Sequence, residues 1–261
     1  MAKSAGYVSA EYLRKVAALG KQIKQRSYEL MTLAPGHHVL DVGCGPGIDT
    51  VPLGQLVGPH GCVVGVDIDE DMLQQADAAA QQAQLGDIVQ HQQADVAALP
   101  FADETFDACH AERLFQVLPS SYDRHAVFTE LVRVVHRGGR VVVADTDWAT
   151  ASVDYPGAAL ERRLMNFFAG CMRPNGYAGR QLYDMYRQQA LQDIQIEVFP
   201  LVQSDFTQSP FGSWLVGEAL AAGVATQSEL DGWMRELTAR HEQGRFFWSV
   251  NLVLVAGVKG T

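Results

Sequence analysis

The chain contains no run of about eighteen consecutive apolar residues, which is what a membrane-crossing helix requires. Residues 1–7 lack the apolar core of a secretion signal, so the expectation is a soluble, cytoplasmic protein without membrane insertion. Basic charge is scarce as well: 20 Lys and Arg stand against 30 Asp and Glu, for a net charge of −10, and no Lys/Arg-rich run occurs. That leaves no electrostatic footprint for a nucleic-acid backbone or an anionic membrane, and no nucleic-acid partner is expected. Cysteine is rare. Cys44, Cys62, Cys109 and Cys171 show no C-x-x-C spacing and three fall in or beside apolar stretches, so they read as buried reduced thiols rather than disulfides or a metal site. Internal repeats are absent too.

What is present is enough for a well-buried core: 261 residues with 48% apolar content, which fits one elaborated domain. Tyr12, Leu13, Val16, Leu19, Ile23, Leu30 and Met31 give residues 9–32 the spacing of one amphipathic helix. Strands are expected near 37–42, 61–67, 87–93, 105–110 and 139–146, with helices near 47–57, 70–84 and 121–136 between them. Such alternation builds an α/β fold on a parallel sheet with helices on both faces. Asp69 suits the N-cap of the second helix, and Gly138 with Gly139 suits the end of the third. After Trp148 aromatic, Met and Arg side chains crowd residues 155–187. Residues 193–201 and 246–258 are strand-like, and Ser228 with Asp231 has the spacing of a capping box in the helical stretch between them.

Residues 39–47 carry the most chemistry. The apolar strand Val39-Leu40-Asp41-Val42 runs into Gly43-Cys44-Gly45-Pro46-Gly47 and then a helix over 48–57. Glycines there let the backbone turn tightly and approach a ligand, and the helix start offers unpaired N–H groups. A dinucleotide fingerprint would need a third glycine or alanine at position 48, where Ile48 stands. A nicotinamide-linked reductase therefore loses most of its support. Twenty residues after Gly47, a second apolar strand ends in the carboxylate Asp67, where Rossmann-type folds hold ribose hydroxyls. The glycine turn and this strand end together resemble the class I S-adenosylmethionine-dependent methyltransferases. Gln93 to Val96, Leu99 to Phe101, Phe106-Asp107, Leu131 to Val135 and Arg137 to Arg140 then resemble, in order, later motifs of the ubiquinone/menaquinone-type group. The resemblance covers residues 36–147, over two fifths of the chain.

That resemblance implies a Rossmann-like seven-stranded sheet whose last strand is antiparallel. It also implies one methyltransferase domain over 1–261: an N-terminal helix (1–35), a cofactor-binding core (36–147), a helical cap over the substrate (148–190 and 204–243) and C-terminal strands (191–203 and 244–261). The implied cofactor is S-adenosyl-L-methionine, leaving as S-adenosyl-L-homocysteine. Gly43, Cys44, Gly45 and Gly47 would meet its methionyl part, Asp41 would order the turn or the ammonium, and Asp67 would accept both ribose hydroxyls. Ile68 or Asp69 would flank the adenine, Asp95 and the Val96 amide would bond its edge, and Ala111 would border the site. The fourth strand passes the transferable methyl at His110, the one candidate catalytic base. Gln116 and Val117 stand where many small-molecule members carry a histidine, and the Asn/Asp-Pro-Pro-aromatic motif of DNA-amino methyltransferases is missing. Arg113, Gln116, Asp147, Trp148, Arg173, Asn175, Tyr177 and Arg180 are the expected substrate pocket. The function implied is methyl transfer to the oxygen, nitrogen or carbon of a small metabolite, with a homodimer admissible. A repurposed fold, a cofactor-dependent binding module or a cyclase, stays open because fold does not dictate function.

Overall fold

The computed structural model describes residues 10–260, and within the first helix the side chains of Tyr12, Lys15, Val16, Ala18 and Leu19 fall outside the description. The expected apolar contacts of Tyr12, Val16 and Leu19 therefore lie outside the described residues. One sheet organises everything else. Its strands are β1 (His38–Val42), β2 (Cys62–Asp67), β3 (Val89–Gln93), β4 (Phe106–Glu112), β5 (Val135–Val153), β6 (Gln192–Gln203) and β7 (Trp248–Val258), in the order β3-β2-β1-β4-β5-β7-β6. The first five run parallel, and β7 is antiparallel to both β5 and β6. Alternate residues of a strand face opposite sides, and both sides are covered. Val142 and Ala144 of β5 enter one apolar cluster with α-helical partners such as Leu164 and Trp233, while Val141 and Val143 enter another with Phe128 and Tyr186.

The expected N-terminal helix is two helices, α1 (Ala10–Leu19) and α2 (Lys21–Met31), divided at Gly20. Glycine in a helix interior costs about 0.5–1 kcal/mol against alanine, so the break falls where continuing is least favourable. Helices α3 (Thr50–Val57), α4 (Glu70–Gln82) and α5 (Arg124–Arg133) fill the first crossovers. Asp69 caps α4, its carboxylate accepting from the amides of Asp71 and Met72. Gly138 and Gly139 do not end α5, which stops at Arg133. They lie inside β5, where the pairing with β4 shifts register between Phe106 and Ala108. A Cβ on Gly139 would stand 2.6 Å from the Asp107 carbonyl, so only glycine fits that approach.

Beyond β5 come α6 (Ala158–Cys171), α7 (Ala178–Gln188), α8 (Ser213–Ala221) and α9 (Gln227–Glu242), with a 3-10 turn at Phe206–Gln208. The capping box of α9 is Thr226 with Glu229, two residues earlier than the Ser228–Asp231 pair. α7 differs from expectation in its role. It buries Leu182, Met185 and Tyr186 against the sheet, and the Tyr186 hydroxyl donates to the carbonyls of Val141 and Val255 at 3.1 and 2.8 Å. It is a crossover helix of the sheet rather than part of a cap. Among the cysteines, Cys44 and Cys109 are buried, Cys62 is half-buried and Cys171 is exposed at the end of α6, so the expectation of buried thiols fails for the last. Among the described residues no helix is long and apolar enough to cross a membrane.

Candidate active site

The chain leaves β1 outward to β2 and β3, then returns to place β4 on the other side of β1. At such a reversal the crossovers on either side diverge and leave a crevice at the carboxyl ends of the strands. A cavity of about 330 Å³ lies there, walled by Gly43 to Pro46 after β1, Asp67 to Asp69 after β2, Ala94 to Val96 after β3 and Glu112 to Leu118 after β4. The turn is held by Val66, whose carbonyl accepts from the amides of Gly43 and Cys44 at 2.8 and 3.0 Å. Gly43, Gly45 and Gly47 all have positive φ, at 74, 51 and 77°. The Asp67 carboxylate sits across from the turn. Its Oδ2 accepts from the Gly45 amide at 2.9 Å and its Oδ1 from the Asp69 amide at 3.0 Å, so each oxygen keeps acceptor capacity for a ligand hydroxyl. Ile68 is half exposed beside it, an apolar side chain facing open space.

Asp95 uses Oδ1 on the Ala97 amide and Oδ2 on the Tyr122 hydroxyl at 3.1 Å, so it also braces its own turn. Cys44, Val96, Arg113, Gln116, Trp148 and Arg173 join the walls of this cavity. The structure keeps four other expected residues away from it. Gly47 packs on α4, where an added Cβ would stand 3.0 Å from Ala76. Ala111 is fully buried in the sheet. Asp41 and His110 are register neighbours on adjacent strands, and their side chains bond each other at 2.8 Å behind the turn. His110 is 0% exposed, with its other ring nitrogen 3.3 Å from the Ser27 hydroxyl. A ring enclosed on both edges cannot take a proton from an acceptor in the cleft, so His110 is not the base.

A charged network beside the cleft escaped the sequence reading. Lys24 Nζ donates to Asp49 Oδ1 and Oδ2 at 2.9 and 2.8 Å and to Glu112 Oε2 at 2.8 Å, and the Tyr28 hydroxyl also donates to Asp49. Burial alone would depress the lysine pKa, but the two carboxylates hold it above the ordinary value. Burial likewise works against Asp49, and Lys24 keeps its carboxyl below the usual range. For the inner pair, burial pushes the Asp41 carboxyl up; burial of His110 acts downward, and its bond to Asp41 outweighs that and raises it. Asp41, Asp49 and His110 lie close enough to suggest a cation site. Their ligating atoms are already engaged, Asp49 by Lys24 and Tyr28 and His110 by Asp41, so an ion-pair network accounts for the grouping. Helical spacing carried a signal for Lys24: with Ser27 and Met31 it shares the buried face of α2.

A second, larger cavity of about 1280 Å³ opens between the end of β4, the α6–α7 turn, the segment 206–214 and α9. It shares Val117, Pro119 and Arg173 with the first. The Arg173 guanidinium lies over three aromatic rings, 4.4 Å from the Trp148 centroid, 4.7 Å from Phe168 and 5.5 Å from Trp214. Asp147, Asn175, Tyr177 and Arg180 do not reach either cavity. Asp147 is buried and bonded by Arg180 Nε at 2.7 Å, and Asn175 is tied to Gln181 and to the Gln116 carbonyl. Because α7 packs on the sheet, it carries these residues away from the crevice. Gly176 is why the turn fits: an added Cβ would overlap the Ala169 carbonyl and Cα. Gly176→Ala is expected to lower stability by about 1–3 kcal/mol in chemical denaturation, the range for overpacking.

The profile of a methyltransferase domain family matches residues 39–139, the span from β1 into β5. Over that span the chain resembles a methyltransferase domain, and its sheet has the class I methyltransferase architecture. The chain is 29% identical over 246 residues to a transposon-borne protein of Streptomyces fradiae, covering 88% of this chain and 66% of that one. It is 32% identical over 166 residues to a ubiquinone/menaquinone biosynthesis C-methyltransferase of Saccharophagus degradans, covering 63% of this chain and 62% of the relative. The chain thus spans less than two thirds of the length of these relatives. Geranyl diphosphate C-methyltransferase from Streptomyces coelicolor, solved with Mg2+, geranyl diphosphate and S-adenosyl-L-homocysteine, superposes with a TM-score of 0.58 at 18% identity over 99% of this chain and 89% of its own. The seven-stranded sheet with its antiparallel last strand is the one the resemblance implied. The cleft suits a cofactor such as S-adenosylmethionine: Asp49, Asp67, Asp69, Asp95 and Glu112 wall it against Lys24, Arg113 and Arg173. An excess of carboxylates favours a ligand that carries a sulfonium and an ammonium.

Proposed function

We propose that this chain transfers a methyl group to a small organic acceptor by in-line displacement. The observation that carries the proposal is the Asp67 carboxylate, fixed by two backbone amides opposite a glycine turn with acceptor capacity to spare. In this reading Asp67 accepts both ribose hydroxyls, Ile68 covers one adenine face, and Asp95 with the Val96 amide binds the adenine edge. Gly43, Cys44 and Gly45 bring bare backbone against the methionyl part. The bound cofactor supplies an activated methyl on a sulfonium leaving group. The protein then has to align acceptor, methyl and sulfur and keep water out, an orientation effect worth up to about 7–11 kcal/mol. Trp148, Leu114 and Leu118 provide the apolar wall beside the reacting centre.

Calorimetry tests the cofactor half. Wild-type protein is expected to bind S-adenosylhomocysteine, with Asp67→Ala weakening it by about 1–3 kcal/mol, the range for losing hydrogen bonds to a charged group. A wild type that shows no heat of binding defeats the proposal. Incubation with radiolabelled methyl donor and metabolite extracts tests the transfer. Labelled small product is expected; firm cofactor binding with no labelled product in any extract would return the repurposed fold to first place.

A further inference from the structure

The larger cavity is an exception in an acidic protein. The chain carries 30 Asp and Glu, yet among the described residues none of them lines this cavity. Apolar side chains wall it instead: Met172 just after α6, Phe206 of the 3-10 turn, Trp214 of α8 and Met234 of α9. Methionine adapts to irregular apolar shapes, and Trp214, 48% exposed, keeps much of its ring open to a ligand. Between them Ser120, Ser213 and Thr238 bring neutral hydroxyls to the walls, able to donate to or accept from a ligand oxygen. The two basic groups in the walls are already engaged. His241 Nδ1 accepts from the Phe206 amide at 3.4 Å and stands 3.8 Å from Asp205 Oδ1. Arg173, lying over three rings, is not a free charge either.

Taking an ionic group out of water without a partner is costly. An ammonium-bearing acceptor would find no carboxylate in these walls, and a diphosphate carried on a divalent cation would find none to hold the ion. Carboxylates line the adjoining cofactor cleft instead, so the two spaces sort their ligands by charge. We propose, resting on the methyltransferase reading, that the acceptor is a bulky multi-ring molecule without formal charge, oxygenated at its edges, lodged in the larger cavity. Its accepting atom lies at Val117 and Pro119, where the two cavities meet. The cavity volume of about 1280 Å³ exceeds the roughly 300–1,000 Å³ of common small-molecule pockets, which suits such a size. The accepting atom bonds to the methyl carbon as the S–CH3 bond breaks with its electron pair on sulfur, and the proton it gives up passes to water. The positive charge of the sulfonium leaves with that proton, so a neutral acceptor yields a neutral product.

Nile red and Nile blue share a four-ring skeleton and differ in a carbonyl against a cationic iminium, so the pair separates charge from shape. Fluorescence anisotropy on protein saturated with S-adenosylhomocysteine should show Nile red bound at least about tenfold more tightly, a fraction of the cost of burying a lone charge. Thr238→Glu, which adds a carboxylate at an exposed position of the α9 wall, should narrow or reverse that preference. Trp214→Ala should weaken Nile red by about fivefold, the scale of one aromatic contact. Leu220→Ala, exposed on the same helix but outside the walls, should leave both dyes unchanged. Geranyl diphosphate with Mg2+ should not displace Nile red. Equal or tighter binding of Nile blue overturns the proposal, as does displacement by the magnesium diphosphate, a preference untouched by Thr238→Glu in protein that still binds S-adenosylhomocysteine, or failure of Nile red to bind. The acceptor itself is read in its product. Methyl label transferred in a metabolite extract should pass into ethyl acetate both at about pH 4, where an amine is charged, and at about pH 9, where a carboxylic acid is; label held in the water at either pH overturns the proposal too. Wild-type protein that selects Nile red but labels nothing in any extract, or that binds no S-adenosylhomocysteine, would count against the methyltransferase reading instead.

Discussion

Replacing Lys24 with alanine should lower the free energy of unfolding by about 3–5 kcal/mol, the range for removing one partner from a buried ion pair. The ammonium sits 2.8 Å from both Asp49 Oδ2 and Glu112 Oε2, and all three side chains are only 10–11% exposed. Without it two carboxylates remain in a poorly hydrated corner, and Asp49 keeps only Tyr28 as a described hydrogen-bond partner there. The loss comes from stranded charge, not from the pair having been a large net gain. The pH dependence follows from that. In the wild type Lys24 holds the Asp49 carboxyl below its ordinary value, a contribution present above the unfolded pKa and lost as pH falls through the folded one. The deficit of the variant should therefore be greatest near neutrality and shrink on acidification. Lys24→Met, which retains most of the stem, should recover little, whereas Lys24→Met with Asp49→Asn and Glu112→Gln should recover much of the loss. Urea unfolding at two pH values measures all of this, and a deficit under about 1 kcal/mol at pH 7 would mean that cleft water screens the cluster as it does a surface pair.

This network also marks where the sequence stops being informative. The glycine turn and Asp67 were legible because their chemistry is local: an apolar run, a turn only glycine tolerates, and a carboxylate at a strand end. The seven-stranded sheet with an antiparallel last strand followed from those motifs by resemblance. Asp41 and His110 were misread for a physical reason. In parallel strands covered on both sides, alternation no longer says which face is open, so neither residue could be told apart from one pointing at a ligand. Arg173 was placed in the substrate region, yet its companions Trp148, Phe168 and Trp214 come from β5, α6 and α8, and nothing in their spacing announces one box. Asn175, Tyr177 and Arg180 were drawn in with it by proximity in sequence. The helix that follows turns them away, because its apolar stripe of Leu182, Met185 and Tyr186 belongs to the sheet.

The second large effect concerns Asp145, near the cleft end of β5. Burial dominates its titration and raises the carboxyl from 3.8 to about 7, although it accepts from the Thr146 amide at 2.7 Å and the Gln116 amide at 3.2 Å. A folded state that favours the protonated acid binds more protons than the unfolded chain between those two values. Stability therefore falls as pH rises through that window and levels off above it. At about 1.36 kcal/mol per pH unit, the full window amounts to roughly 4 kcal/mol, of which about 2–3 kcal/mol falls between about pH 5 and pH 8. Asp145→Asn removes the titration while keeping an acceptor oxygen for one amide. The expected result is a stability profile flatter by about 2–3 kcal/mol across that range, with the variant gaining on the wild type as pH rises. Parallel profiles for the two proteins, measured by chemical denaturation at matched ionic strength, would show that the carboxylate is ionised throughout and that its amide donors outweigh its burial. In that event the same negative charge would stand beside Arg113, the nearest cation acting on it, and the electrostatics of the cleft mouth would have to be redrawn around a fixed ion pair.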